Sequence, residues 1–140
     1  MTVDLAAVEA RVRASFERQE LMTTLGARLV RVSRGEVEIE APFDARLTQQ
    51  HGYIHAGVIT ALVDSACGYS ALSVAPPDAE VLTIEYKVNF LAPAQGERFL
   101  ARGRVVRAGK RITVCSGDVV AITGGEEKSV AVMLATITTT

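Results

Sequence analysis

Residues 57–74 read GVITALVDSACGYSALSV, a run rich in Ala and Leu, with small residues throughout and one charged side chain, Asp64. That composition predicts a helix buried in a core, and Pro76-Pro77-Asp78 stops it. The run is long enough to consider as a membrane span. A central carboxylate, with Ser65, Gly68, Ser70 and Ser73 around it, argues against one.

Outward from this helix the hydrophobic period changes. Downstream, Leu82, Ile84, Tyr86, Val88 and Phe90 alternate along one face of a long strand that ends at Pro93. Arg98 to Arg107, Arg111 to Thr123 and Lys128 to Thr138 are rich in β-branched residues. The short turns Ala108-Gly109-Lys110 and Gly124-Gly125 separate them, which predicts antiparallel hairpins. Upstream, Pro42 to Tyr53 is irregular. Before it, Leu29 and then Val37, Ile39 and Ala41 alternate with polar residues about a turn at Ser33-Arg34-Gly35, giving two more strands. Val3 to Glu20 places Leu5, Val8, Val12 and Phe16 at helical spacing, an amphipathic helix within an N-terminal helical segment at 1–24.

The predicted order is helix, two strands, one long helix, four strands. A meander of antiparallel strands needs one face covered, and the only long apolar element available to cover it is the 57–74 helix. The expected fold is α+β, an antiparallel sheet wrapped around a long central helix with an additional N-terminal helix. An α+β sandwich of another topology would give a similar string. The length, 140 residues, fits a single domain spanning 1–140.

Composition narrows the function classes. With 15 basic and 16 acidic residues the net charge is −1, so no strong field favours nucleic acid or an anionic membrane surface. The interior must be built from Ala, Val, Leu and Ile, because only 5% of residues are aromatic and none is Trp. Cys67 and Cys115 have no Cys or His partner at metal-ligand spacing and read as buried reduced thiols, with no metal expected. The start of the chain has Asp4 and Glu9 among alanines rather than a basic, then apolar, leader. A cytoplasmic protein is expected.

Two features carry chemistry. A carboxylate in the middle of an apolar helix costs several kcal/mol, on the order of 3–5, if it is buried without a partner. The neighbours of Asp64 at helical spacing are Thr60, Ala61, Cys67 and Gly68, none of them basic. Asp64 is therefore either on a solvated edge, or bonded elsewhere, or a general base or nucleophile in a desolvated pocket. The second feature is Gln49-Gln50-His51-Gly52-Tyr53-Ile54-His55-Ala56-Gly57, which ends where the helix begins. Amide N–H groups there lack helical partners and can bind an oxyanion, and small Ala56 and Gly57 allow close approach. His55 and His51 would otherwise be capping or loop residues.

Taken together, Gln49, Gly52, His55, Ala56, Gly57 and Asp64 have spacing that resembles the PaaI-type hotdog-fold acyl-CoA thioesterases, whose pattern is Asn-x-x-Gly-x-x-His-Gly-Gly followed by an Asp on the helix. Thr83 in Leu-Thr-Ile-Glu-Tyr, and Leu91-Ala92-Pro93-Ala94, fit the same family downstream. The resemblance implies a hotdog fold and hydrolysis of an aryl- or medium-chain acyl-CoA, with the CoA thioester as substrate and no cofactor. It implies that the Ala56 N–H polarises the thioester carbonyl while Asp64 of the opposite subunit activates water or attacks. Thr83 would orient that group, and Gln49 would stand for the family's Asn. It further implies a homodimer, pairing again into a tetramer. Ala56 replaces a Gly and Gln49 an Asn, so the pocket is tighter by a methyl group and the amide is displaced by a methylene. Arg107, Lys110 and Arg111 flank a turn and suit CoA phosphates, or form an ordinary basic turn. Two other readings fit part of the pattern. A hotdog dehydratase would pair His55 with Asp64, but the loop lacks the Pro-Gly and the helix the Glu expected of one. An acyl-CoA-binding protein without activity would have no need of Asp64.

Overall fold

The computed structural model describes residues 4–140. Its elements are α1 (Leu5–Glu17), α2 (Glu20–Thr24), β1 (Arg28–Ser33), β2 (Glu36–Pro42), a 3-10 turn (Ala45–Leu47), α3 (Ala56–Val74), β3 (Val81–Phe90), β4 (Arg98–Ala108), β5 (Ile112–Thr123) and β6 (Glu126–Thr139). The expected helix start at Val3 lies outside the described residues. The rest of that helix is broken, because Gln19 takes an extended conformation (φ −85°, ψ 99°) and starts α2 as a separate turn.

All six strands form one antiparallel sheet in the order β1-β2-β4-β5-β6-β3. The tight hairpins at Arg34-Gly35 and Gly124-Gly125 form as expected, with Gly35, Gly124 and Gly125 at positive φ. The four later strands are not a simple meander, however. β4, β5 and β6 follow one another, but β3 pairs with β6 at the far edge and β2 takes the place beside β4. The cause is α3, whose 19 residues carry the chain about 28 Å at about 1.5 Å per residue between β2 and β3.

α3 lies against one face of the sheet, the hotdog arrangement. Ile59, Leu62, Val63, Ala66 and Cys67 of α3 are fully buried against Val37 and Ile39 of β2, Phe99 and Ala101 of β4, and Cys115 and Val119 of β5. The helix is long and apolar enough to cross a membrane, but more than half of it is buried in this core. Its seat is a glycine pair. Gly103 of β4 is opposite Gly117 of β5. A Cβ at Gly103 would fall 2.4 Å from the Ala66 carbonyl, and one at Gly117 would fall 2.6 Å from Val63 Cγ2. Only the bare backbone lets α3 lie this close to the strands.

Mid-helix serines are tolerated because their hydroxyls are satisfied. Ser70 Oγ donates to the Cys67 carbonyl at 2.7 Å, and Ser73 Oγ donates to the Ser70 carbonyl at 2.6 Å. At the C-terminal end, Ala75 is extended ahead of Pro76, and the Arg11 guanidinium from α1 donates to the carbonyls of Ala75 and Ala79. This places a cation where the helix dipole is negative.

Candidate functional site

The N-terminus of α3 is built by the loop before it. Gln49 Oε1 accepts from the N–H groups of His51 (2.5 Å) and Tyr53 (3.3 Å), and the Gln49 N–H donates to the Tyr53 carbonyl at 2.8 Å. The Gln49 carbonyl oxygen is thus occupied by its own loop, and only its Nε2 remains to contact anything else. His55 caps the helix, its Nδ1 accepting from the Gly57 N–H at 2.8 Å. A Cβ at Gly57 would meet that ring at 3.0 Å, so the space beside Gly57 belongs to the imidazole and its N–H is already used. The Ala56 N–H is different. Among the described residues no acceptor takes it, and it points out of the positive end of a 19-residue helix. Gln49, His55 and Ala56 line one cleft of about 530 Å³ with apolar Ile59, Phe90, Leu91 and Pro93.

Asp64 lies two turns along α3, about 12 Å from Ala56 at about 1.5 Å per residue. It is half-buried, and Thr83 Oγ1 donates to its Oδ1 at 2.8 Å. Burial pushes its carboxyl above the usual range, and the Thr83 hydrogen bond opposes that rise without cancelling it. Thr83 reaches Asp64 because of a β-bulge between Thr83 and Glu85. Tyr86 is opposite Ala135 and Thr83 is opposite Ile137, both buried on the helix side. Leu82, opposite Thr138, is turned to the other face. The expected single face from Leu82 to Phe90 therefore holds only from Tyr86 onward. The extra residue exchanges Leu82 for Thr83 on the side of the carboxylate.

Asp64 and Thr83 line a second cleft, of about 220 Å³, with Gly68, Leu72 and Val81. Gln19, ahead of α2, and Ser65 and Tyr69 of α3 also line it, and the sequence did not single them out as site residues. Gln19 carried no motif, and only the structure brings α1 and α2 against α3. Within one chain, then, the structure groups Gln49, His55 and Ala56 in one cleft and Asp64 with Thr83 in another. The two clefts lie at opposite ends of β3, since Phe90 lines the first and Thr83 the second.

Arg107, Lys110 and Arg111 are exposed together around a groove of about 410 Å³ at the β4–β5 turn. Ile112 beside them is opposite Thr138, which is opposite Leu82, so the basic turn lies at the Thr83 end of the sheet. Cys67 and Cys115 are buried free thiols, both pushed up by burial and unsuited to act as nucleophiles. Among the described residues no three His, Cys, Asp or Glu side chains gather as metal ligands.

Comparison with known proteins adds to this geometry. A sequence model described as the Thioesterase superfamily matches residues 51–128, the segment that contains His55, Ala56, Asp64 and Thr83. A relative from Halobacterium salinarum, provisionally named an esterase, is 31% identical over 79% of this chain and 76% of its own. The crystal structure of a thioesterase family protein from Silicibacter pomeroyi is similar at a TM-score of 0.93 and 48% identity, covering 94% of this chain and 97% of that one. The E. coli PaaI protein from the phenylacetic acid degradation operon shares the fold at a TM-score of 0.86 and 19% identity, over 95% of this chain and 93% of its own.

Proposed function

Because the chain belongs to the thioesterase superfamily, and by that membership is a thioester hydrolase, we propose that it hydrolyses aryl- or medium-chain acyl-CoA in a site shared by two copies of itself. The observation that carries this reading is the separation of the two half-sites. The free Ala56 N–H and the Asp64–Thr83 pair lie at opposite ends of β3, and neither cleft holds both groups.

β3 is an edge strand, and its apolar side chains are uncovered: Leu82 is 65% exposed, Ile84 56%, and Tyr86 and Phe90 45% each. An exposed apolar edge of this length is a liability unless another strand covers it. Two such edges paired antiparallel about their middles place the Phe90 end of one beside the Thr83 end of the other. The Ala56 cleft of each chain then meets the Asp64 cleft of its partner. The resulting homodimer, with continuous sheets, pairs again into a tetramer in this reading.

In such a site the Ala56 N–H and the helix dipole polarise the thioester carbonyl and stabilise the oxyanion. Gln49 Nε2 is the remaining side-chain donor at that mouth. Asp64 of the partner subunit, its basicity raised by burial, accepts a proton from water as that water attacks the carbonyl carbon, or attacks the carbon directly. Thr83 holds Oδ1 and leaves Oδ2 to face the reaction. Collapse of the tetrahedral intermediate expels the CoA thiolate, which takes the proton back from Asp64; where the carboxylate itself attacks, collapse leaves a mixed anhydride on Asp64 that water then hydrolyses to the free acid. Arg107, Lys110 and Arg111 at the Thr83 end are the cations offered to the phosphates of CoA.

The test is thiol release from a panel of acyl-CoA thioesters by the wild type and by Asp64→Asn. Release by the wild type, reduced by about 10²–10⁴ in the variant, is expected. A folded Asp64→Asn protein with normal kcat would refute the assignment.

A further inference from the structure

We propose that Gln19 forms the far wall of the cleft beside Asp64 and so sets how long an acyl group can lie there, a role that rests on the hydrolase reading of that site. Gln19 starts α2, where its side chain could cap the helix, yet it makes no such bond. It crosses instead to α3. Its Nε2 donates to Tyr69 Oη at 3.0 Å, and its Oε1 accepts from Ser65 Oγ at 3.1 Å. Ser15 Oγ adds a longer contact to Tyr69 Oη at 3.4 Å. Ser65 and Tyr69 are four residues apart and so share one face of α3. All four of these residues line the cleft that holds Asp64 and Thr83.

The result is a strut between the α1–α2 break and the helix that bears the carboxylate. Both ends of the Gln19 amide are engaged within the protein, so it presents bulk to the cleft and is not aimed at a polar ligand. The cleft that Gln19 borders offers about 220 Å³. Of the two acyl classes proposed above, the compact single-ring group suits this cleft better than an extended medium chain or the pantetheine arm of CoA. The larger apolar cleft at Ala56 remains for the arm.

Shortening the strut should therefore lengthen the acyl group accepted. The experiment compares kcat/KM for octanoyl-CoA and butyryl-CoA in the intact protein, with thermal melting alongside. Gln19→Ala should raise the octanoyl-to-butyryl ratio by about tenfold or more, mainly through KM for the longer chain. Gln19→Met, which keeps the bulk without the hydrogen bonds, should leave the ratio within about threefold of wild type. Gln19→Asn withdraws the amide by one methylene and should move the ratio in the Ala direction by less, which keeps the test open should Gln19→Ala fail to fold. A merely structural strut would lower the melting temperature and weaken both substrates alike. An unchanged ratio in folded Gln19→Ala or Gln19→Asn overturns the proposal. A wild type that releases no thiol from either substrate or from benzoyl-CoA refutes the hydrolase reading itself, and the proposal with it.

Discussion

Gly103→Ala tests how closely the depth of α3 governs the site. The new Cβ would lie 2.4 Å from the backbone carbonyl of Ala66 and 2.6 Å from the Cys67 nitrogen, where ordinary contact begins at 3.4 Å. Neither atom is the end of a flexible side chain, so the helix must retreat by about 1 Å, and overpacking of this kind costs about 1–3 kcal/mol. For a chain of this size that is a drop of roughly 3–10 °C in melting temperature. Asp64 lies two residues before Ala66 and moves with it. Its 2.8 Å bond from Thr83 then stretches toward about 3.8 Å, and a misplacement of about 1 Å can cost about 10²-fold in rate. Scanning calorimetry and thiol release measure the two effects. Gly68→Ala is the control for stability, since it lies in the same helix with nothing within 4 Å of the added methyl and should stabilise by about 0.5–1 kcal/mol. Gly103→Ala melting within roughly one degree of wild type at full kcat would show that the glycine pair does not set the helix position.

Other outcomes follow from the same geometry. Burial raises the Asp64 carboxyl above its ordinary value of 3.8, so the folded chain holds that proton more tightly than the unfolded one. Its contribution to stability is complete below 3.8 and is lost as pH rises through the raised folded value. Asp64→Asn, which keeps the Thr83 bond, should melt above wild type at pH 7 with the gap closing in acid; a gap that widens in acid contradicts the desolvation argument. Ala56→Pro removes one donor cleanly, because Ala56 is the first residue of α3 and His55 already has the extended conformation (φ −58°, ψ 138°) that a following proline requires. Mixed with Asp64→Ala, it should restore activity in heterodimers with one intact site, and folded, exchanging subunits that stay inactive would exclude a shared site. Replacing Arg107, Lys110 and Arg111 with Ala should raise KM for acyl-CoA by roughly three- to hundredfold, at about 0.2–1 kcal/mol per exposed charge. A thioester without the nucleotide phosphates should show no such rise, and an equal rise for both would remove the turn from CoA binding.

Much of this architecture was legible in the sequence, because burial imposes period. Strands with two-residue turns announce both neighbours, as at Gly124-Gly125, and an apolar run with one carboxylate announces a core helix. Strand order was not legible. Nothing in Leu82 to Phe90 says that its partner is β6 rather than β4, since that choice depends on where α3 releases the chain. The same limit applies to the site. Asp64 stood out as a charge among apolar residues, and Ala56 as the first residue of a helix. Gln19, Ser65 and Tyr69 were silent because their meeting requires α1, α2 and α3 to be packed first. The occupied Gln49 carbonyl and the His55 cap depend on loop geometry that residue types alone do not encode.

The bulge in β3 has a consequence for how relatives should be aligned. One extra residue frees the two ends of the strand from a common alternation: from Tyr86 onward the strand answers to the sheet and its edge, and at Thr83 it answers to the carboxylate. A descendant that deletes or shifts that residue would turn a different side chain toward Asp64 even with its neighbours unchanged. In aligning homologues, the partner of the helix carboxylate should therefore be assigned by its position relative to the insertion, since counting the register along the strand from Phe90 would put Ile84 opposite Ile137, where Thr83 stands.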